Sequence, residues 1–150
     1  MIYRNAVFTD VEAIHELVYS YAEKGLMLAR SRNQLYETLR DMVVVENDKG
    51  EIVGTGGLHI VWDGIAEVRT LAVSEKAVRQ HIGTKIVKRL IDDGKKLGVK
   101  KFFTLTYQPE FFNSLGFYEV SKDELPQKVW KECIDCPKFP NCDEIAMVLK

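Results

Sequence analysis

The chain has 150 residues, of which 46% are hydrophobic, and a chain of this length can bury one sizeable core as a single domain. Its 21 Lys and Arg residues against 22 Asp and Glu give a formal net charge of −1, which argues against a basic nucleic-acid-binding coat and an acidic tail. No apolar run approaches the roughly 20 residues of a membrane span, and MIYRNAVFTD at the amino terminus contains no signal segment. We therefore expect a cytoplasmic protein that binds neither nucleic acid nor membrane.

The first third of the chain predicts a strand followed by two helices. A capping box at Thr9–Glu12 precedes apolar residues at helical spacing, and Gly25 is the expected end of that helix. A second capping box at Ser31–Gln34 predicts a shorter helix that buries Leu35 and Leu39.

The next segment predicts a three-stranded antiparallel meander. VVVE and IVGTGGLHIVW are joined by the turn NDKG and form a hairpin. Asp63 and Gly64 form a two-residue turn signal that folds the third strand, IAEVRTLAV, back on its neighbour.

The second half predicts a helix, a strand, a short helix and two further strands. The helix follows the loop RQHIGTK and ends at Gly98, although Gly94 within it costs about 1 kcal/mol. The later elements are KKFFTLTY, PEFFNSL, FYEV and EIAMVL, and a long lid-like insertion at 121–143 separates the last two strands. The fold class is therefore α+β, with a central mixed and mostly antiparallel sheet flanked by helices in one domain, 1–150.

Positive charge is concentrated around RQHIGTK and its helix. Residues 76–101 contain nine Lys or Arg and two acids. This excess suits either a solvated helix face or a polyanionic ligand such as a nucleotide.

Several segments resemble the GNAT superfamily of acetyl-CoA-dependent N-acetyltransferases. The element order matches over the whole chain, LAV followed by a loop and IGTKIV is similar to that family's cofactor segment, and FFNSLGF to its penultimate helix and strand. LARSRNQLYE, GGLHIVWDGIAEVRTLAV, FTLTYQPEFFNSLGF and LPQKVWKECIDCPKFPNCDEIAM resemble, more narrowly, the short stand-alone N-acetylglutamate synthases. The resemblance implies acetyl-CoA as co-substrate.

The loop before the long helix is the expected binding site for the pyrophosphate of coenzyme A. Amides at the start of a helix near Gly83 and the positive end of its dipole suit an anion. The family pattern R/Q-x-x-G-x-G/A places Val78 at its first position, His81 at its first glycine and Gly83 at its second, so two positions depart. An ordinary helix start is the alternative interpretation. The predicted cofactor-binding residues are Leu71, Ala72, Val73, Arg79, His81, Ile82, Gly83, Thr84 and Lys85.

Glu67 is the candidate general base. In a strand, Glu67 and Arg69 share one face while Val68 and Thr70 share the other. An α-ammonium must lose a proton before its nitrogen attacks a thioester, and a carboxylate acting through water can take that proton. A mutual ion pair with Arg69, without a catalytic role, is the alternative.

The reaction also needs an oxyanion site and an acid for the departing thiolate. Backbone N–H groups of Leu71 to Val73 are expected to supply the first, as the resemblance implies. In this chain Phe112 stands at the position where the family usually has a tyrosine. Tyr107 is therefore the preferred candidate for the acid, and Tyr118 is the second candidate. A buried structural tyrosine is the alternative for either residue.

Arginines are the candidates for binding the carboxylates of a glutamate acceptor. Arg30, Arg32 and Arg69 each carry a guanidinium that can bind a carboxylate through two hydrogen bonds.

Three cysteines near the carboxyl end, an odd number, suit a reducing compartment better than a disulfide framework. Their spacing is unlike a zinc knuckle, so no metal is expected, and a thiolate site is the minority alternative. The residues concerned are Cys133, Cys136 and Cys142, with Asp143, Glu144 or His59 as a fourth ligand.

The sequence thus predicts an enzyme that transfers acetyl from acetyl-CoA directly to the α-amino group of an amino acid. By resemblance the acceptor is L-glutamate and the reaction is the first step of arginine biosynthesis. Two alternatives stay open: a GNAT module that binds a metabolite or acyl-CoA without turnover, and an acetyltransferase for another amine. A homodimer and arginine feedback are also left open.

Overall fold

A computed structural model describes residues 1–125 and 144–150, without the side chains of residues 78 and 79. The strands are β1 Ile2–Asn5, β2 Met42–Glu46, β3 Ile52–Trp62, β4 Ile65–Val73, β5 Lys101–Thr106, β6 Tyr118–Val120 and β7 Ile145–Leu149. The α-helices are α1 Val11–Ala22, α2 Arg32–Glu37, α3 Ile82–Leu97 and α4 Pro109–Asn113. Short 3-10 turns lie at Phe8–Asp10, Leu39–Asp41, Glu75–Gln80 and Lys122–Glu124. Most of the predicted insertion at 121–143 lies outside the described residues.

These strands form one seven-stranded sheet in the order β1-β2-β3-β4-β5-β7-β6. Every neighbouring pair is antiparallel except β4 and β5, which are parallel. The predicted α+β class, the mostly antiparallel sheet and the meander of β2, β3 and β4 are confirmed. The last strand, β7, inserts between β5 and β6.

The two faces of the sheet pack against different hydrophobic clusters. Helix α3 covers one face, where Ile86 and Leu90 pack with Leu58, Val68 and Phe102. Helices α1 and α2 cover the other face beside β2, and a third cluster lies on that face at the β5 and β7 side. The sheet is therefore buried on both sides near its centre, where β4 and β5 meet.

A glycine permits the close approach of α3 to the sheet. A Cβ added at Gly94 would lie 2.5 Å from Cε2 of Phe102 and 3.0 Å from Cδ2 of Leu58. The helix propensity lost at this position is therefore offset by packing, which periodicity alone does not reveal.

The helix starts differ in part from the sequence predictions. Ser31 caps α2 as expected, since its side chain accepts from the Gln34 N–H. Thr9 does not cap α1, because the chain makes a 3-10 turn before the helix begins at Val11. The carboxylate of Asp10 instead accepts from the Val7 N–H at 2.8 Å and from Arg4. Leu39 lies after α2, in a 3-10 turn, and is half-buried.

Candidate functional site

The centre of the site is a β-bulge in β4. Between the pairs Gly57–Arg69 and Thr55–Ala72, Gly56 faces two residues, Thr70 and Leu71. Thr70 has a φ of 57°, which is rare for a β-branched residue and is stabilised only where the surrounding structure imposes it.

The bulge changes which side chains share a face. Ala66 and Val68 pack against α3, and after the extra residue it is Leu71 and Val73 that pack there. The predicted alternation of Glu67, Val68 and Arg69 is confirmed, and the bulge interrupts the period of two after Arg69, so that Leu71 follows Val68 on the α3 face.

Strands β4 and β5 diverge beside the bulge. Their parallel pairing covers three residue pairs, from Ile65–Lys101 to Glu67–Phe103. One step further on, the Thr104 hydroxyl donates to the Val68 carbonyl at 2.8 Å. Beyond that contact the two strands open a wedge at the centre of the sheet.

A cavity of about 220 Å³ occupies this wedge. It is lined by the end of α1 and the chain after it, by the middle of β4, by the end of β5 with α4, and by the residue before β7. Five predicted site residues line it: Arg30, Glu67, Arg69, Leu71 and Tyr107. Residues from distant parts of the sequence therefore meet in one place.

The charges of the cavity are balanced. Arg30 and Arg69 contribute two guanidinium groups, and Glu67 and Glu144 contribute two carboxylates. All four side chains are half-buried, so their charges act in a lower dielectric than bulk water. Phe111 and other apolar residues form much of the remaining wall. Such a lining suits a small ligand that carries both signs of charge.

Two residues predicted for catalysis or acceptor binding, Arg32 and Tyr118, are not brought to this cavity. Arg32 lies outside the lining and pairs with Glu12, Nε to Oε1, at 2.7 Å. The exposed carboxylate and guanidinium hold each other in the charged form, so the pKa of Glu12 is lowered and that of Arg32 is raised. Tyr118 is exposed on the edge strand β6 and is also outside the lining.

The predicted cofactor loop has a left-handed residue at its junction. His81 has φ 57° and ψ 27°, a conformation that glycine adopts without strain, and α3 begins immediately after it at Ile82. The imidazole is exposed, whereas the Ile82 side chain is buried. The loop therefore has the glycine-like backbone that the family pattern implies, with a histidine side chain added.

The main-chain groups of this loop only partly fit the prediction. Amides of the first turn of a helix have no partner within the helix, which leaves Ile82, Gly83 and Thr84 as donors. The Lys85 N–H donates to the His81 carbonyl at 3.1 Å, and Lys85 Nζ lies 5.9 Å from the Tyr3 ring centroid. The Lys85 amide is thus part of the helix. The side chain of Arg79, a predicted cofactor-binding residue, is outside the described part of the structure, as is that of Val78.

Tyr21, near the end of α1, connects the cavity to the end of β4. It lines the cavity, and its hydroxyl donates to the Val73 carbonyl at the end of β4. Burial, with the negative charge of Glu75, raises the pKa of the Tyr21 hydroxyl. Lys24 in turn binds Glu75 at 2.9 Å. The chain after α1 is therefore fixed to the loop that precedes α3.

Other lining residues were also missed from sequence. Thr104, Gln108 and Glu144 line the cavity because β5 and β7 bring them there, and no local motif marks them. Helical periodicity could have shown Tyr21 only as a core residue.

The three cysteines of the alternative thiolate metal site lie outside the described residues, because Cys133, Cys136 and Cys142 all fall within 126–143. Across the described ranges, 1–125 and 144–150, no group of three or more His, Cys, Asp or Glu is placed to hold a metal ion. His59, a candidate fourth ligand, has its Nδ1 2.8 Å from Oδ2 of Asp41. The same ranges contain no helix long and apolar enough to cross a membrane.

Comparisons with known proteins show which family and which structures this chain is similar to. The model of the acetyltransferase (GNAT) family matches residues 8–121. An uncharacterized N-acetyltransferase of Chlorobaculum tepidum is 38% identical over 145 residues, covering 97% of this chain and 93% of that protein. An amino-acid acetyltransferase of Mycobacterium tuberculosis is 35% identical over 133 residues, covering 87% of this chain and 76% of the relative.

Among solved structures, the chain is similar to N-acetylglutamate synthase of Neisseria gonorrhoeae complexed with coenzyme A and N-acetyl-glutamate. The TM-score is 0.89 at 27% identity, over 98% of this chain and 34% of that one. This chain thus corresponds to about a third of the Neisseria protein.

Proposed function

The chain belongs to the acetyltransferase (GNAT) family and is an acetyl-CoA-dependent amino-acid N-acetyltransferase; we propose that its acceptor is L-glutamate. The observation that carries the proposal is the cavity between β4 and β5, where Arg30, Glu67, Arg69 and Tyr107 meet. The product, N-acetylglutamate, would serve arginine biosynthesis. A cytoplasmic location stays a prediction of the sequence, and a homodimer stays open.

The cavity's charges suit glutamate as acceptor. Its two carboxylates require two cations, and Arg30 and Arg69 enter the cavity from different elements, the chain after α1 and strand β4. A guanidinium binds a carboxylate through two parallel hydrogen bonds, which fixes the orientation of the ligand as well as its charge. With its carboxylates held this way, the α-ammonium group would be directed towards a carboxylate of the lining.

Glu67 is proposed to remove the proton of that ammonium group, directly or through one water molecule. It lies on β4 three residues before Thr70 of the bulge and lines the cavity, half-buried, so it is close to any acceptor bound there. The neutral amine then attacks the thioester carbonyl in a ternary complex without a covalent acyl-enzyme. Tyr107, at the opposite wall after β5, is proposed to give its hydroxyl proton to the departing thiolate.

Main-chain amides are proposed to bind the thioester oxygen and the diphosphate of coenzyme A. Those of Leu71 to Val73 follow the bulge where β5 has diverged, and the amides that point to the β5 side of the strand are suited to stabilise the negative charge that develops on the thioester oxygen. The first-turn amides of α3 are suited to the diphosphate of coenzyme A, because His81 places the chain in the left-handed conformation that directs it into the helix.

Replacing Arg30 tests the acceptor assignment, with Arg32 as a matched control. Arg30→Ala should raise the KM for glutamate by about tenfold or more and that for acetyl-CoA by less than about twofold, because a charge-assisted hydrogen bond contributes about 1.5–3 kcal/mol. Arg32→Ala, two residues away and outside the cavity, should leave both KM values near those of the parent. Equal effects of Arg30→Ala on the two substrates would remove Arg30 from the acceptor site.

A further inference from the structure

A histidine and an aspartate lie beside Glu67 without lining the cavity. His59 on β3 is the direct cross-strand partner of Glu67 on β4. Nδ1 of His59 is 2.8 Å from Oδ2 of Asp41, which lies in the 3-10 turn before β2. The three side chains therefore form a row that crosses the sheet, from the cavity towards the turn.

The register places His59 and Glu67 on the same face. Their flanking pairs, Leu58–Val68 and Ile60–Ala66, put Leu58, Val68 and Ala66 against α3, so the intervening pair points to the opposite face. The pairing is regular on both sides of His59, since the register shifts lie beyond Gly57 and Ile60. The Cβ atoms of directly opposed residues lie about 4.5–5.5 Å apart, within reach of a hydrogen bond or one bridging water.

The contact with Asp41 determines how the ring carries its protons. A carboxylate oxygen can only accept, so Nδ1 carries the hydrogen of this bond. In the neutral ring Nε2 then has the lone pair and can accept a proton. The side chain of His59 is 38% exposed and that of Asp41 is 27% exposed, so a proton that reaches the ring has access to solvent.

We propose that His59, held by Asp41, is a positioning residue for Glu67 that passes the proton taken from the acceptor to solvent. The inference rests on the proposed function, in which Glu67 is the base. The acceptor's N–H bond breaks as Glu67 gains the proton; the carboxylic acid then gives that proton to Nε2 of His59, and the imidazolium releases it to a buffer base. Glu67 returns to its carboxylate form for the next turnover.

The surroundings of the ring favour this transfer. The charged groups placed beside it by the register and by hydrogen bonds are Asp41 from the turn, Glu67 directly across, and Arg69 diagonally across on β4. The Asp41 carboxylate accepts a hydrogen bond from Nδ1, and Glu67 lies directly across from the ring, so carboxylates lie on both sides of the proton's path. In the competing explanation, the contact between His59 and Asp41 only holds the turn against β3. That explanation predicts no effect of buffer concentration on kcat.

The test measures kcat in buffers of constant pH and ionic strength but increasing imidazole concentration. In His59→Gln, kcat at neutral pH should fall by about fivefold or more while both KM values change by less than about twofold. Added imidazole should then restore kcat by about threefold or more, because the buffer takes the proton from Glu67 directly, and the parent should show almost no response. Asp41→Asn should show a smaller loss with the same response to imidazole.

Two controls separate this inference from the proposed function. His15→Gln, at a histidine that stacks on Tyr19 and does not line the cavity, should match the parent. Glu67→Gln should be slow whether or not the inference holds. A parent enzyme without acetyl transfer, or an unimpaired Glu67→Gln, would refute the proposed function or its base. If the parent transfers acetyl and Glu67→Gln is slow, two results would overturn the role of His59. These are an unchanged kcat in His59→Gln and a loss of kcat that imidazole does not restore.

Discussion

Replacing His81 by glycine separates the backbone of the cofactor loop from its side chain. The left-handed conformation at φ 57° costs an L-residue about 1–2 kcal/mol, and glycine removes that cost. Glycine also adds about 0.5–1 kcal/mol of conformational entropy to the unfolded chain. The free energy of unfolding should therefore be between equal to that of the parent and about 1.5 kcal/mol higher.

Coenzyme A should bind a few-fold more tightly to His81→Gly at neutral pH. The proposed contacts are main-chain amides, and the exposed imidazole beside them only limits how closely the diphosphate approaches. A threefold gain corresponds to about 0.7 kcal/mol. Calorimetry with coenzyme A measures the affinity, and urea denaturation of the same sample measures stability.

Two further substitutions at His81 complete the test. Asn tolerates the left-handed region and Ala does not, so Asn should preserve stability better than Ala while both remove the ring. A tenfold weakening of coenzyme A binding in the Gly variant would refute the main-chain account and show that the imidazole contacts phosphate. In that case the parent's affinity would also rise as the pH falls and the ring becomes protonated.

Three other substitutions test the site and the fold. Glu67→Gln should lower kcat by at least about tenfold, with part of the loss recovered at higher pH in a pH–rate series, and unchanged turnover would reduce Glu67 to a structural charge. Gly94→Ala should lower the free energy of unfolding by about 1–2 kcal/mol, because its Cβ would meet the Phe102 ring at 2.5 Å; a stabilised variant would contradict that packing. Hydrogen bonds from Arg4 lower the pKa of Asp10 below its usual value of 3.8. The ionised Asp10 therefore stabilises the fold at neutral pH, and this contribution is lost as the pH falls through the folded pKa. Asp10→Asn should therefore be less stable than the parent by about 1–3 kcal/mol at pH 7, and the difference should shrink towards pH 3 in urea denaturation, whereas a constant difference would contradict the linkage.

The order of the strands and helices could be predicted because each has a clear local signal. The meander follows from two turn signals and from alternation, and α3 follows from apolar residues at helical spacing up to Gly98. The bulge at Thr70 could not be predicted, because one inserted residue leaves no mark on the composition of a strand and is defined only by the partner strand. The same limit applies to Thr9, whose capping pattern is present but whose place is taken by a 3-10 turn.

Site residues could be predicted from the sequence where the reaction requires a particular type of residue. They could not be predicted where only the fold brings residues from distant parts of the chain together. Glu67 and Arg69 stood out as charges in a central strand, and both line the cavity. Arg30 and Arg32 are equivalent in the sequence, and only the path of the chain after α1 directs one to the cavity and the other to Glu12. Glu144 is brought to the cavity by strand order, which no local pattern encodes.

Release of free thiol from acetyl-CoA in the presence of each amino acid in turn tests the central claim most directly. The account predicts enzyme-dependent thiol release that is greatest with L-glutamate and is strongly reduced in Glu67→Gln. Tight binding of coenzyme A without thiol release above the uncatalysed rate, for any amino acid, would contradict it and identify a binding module instead.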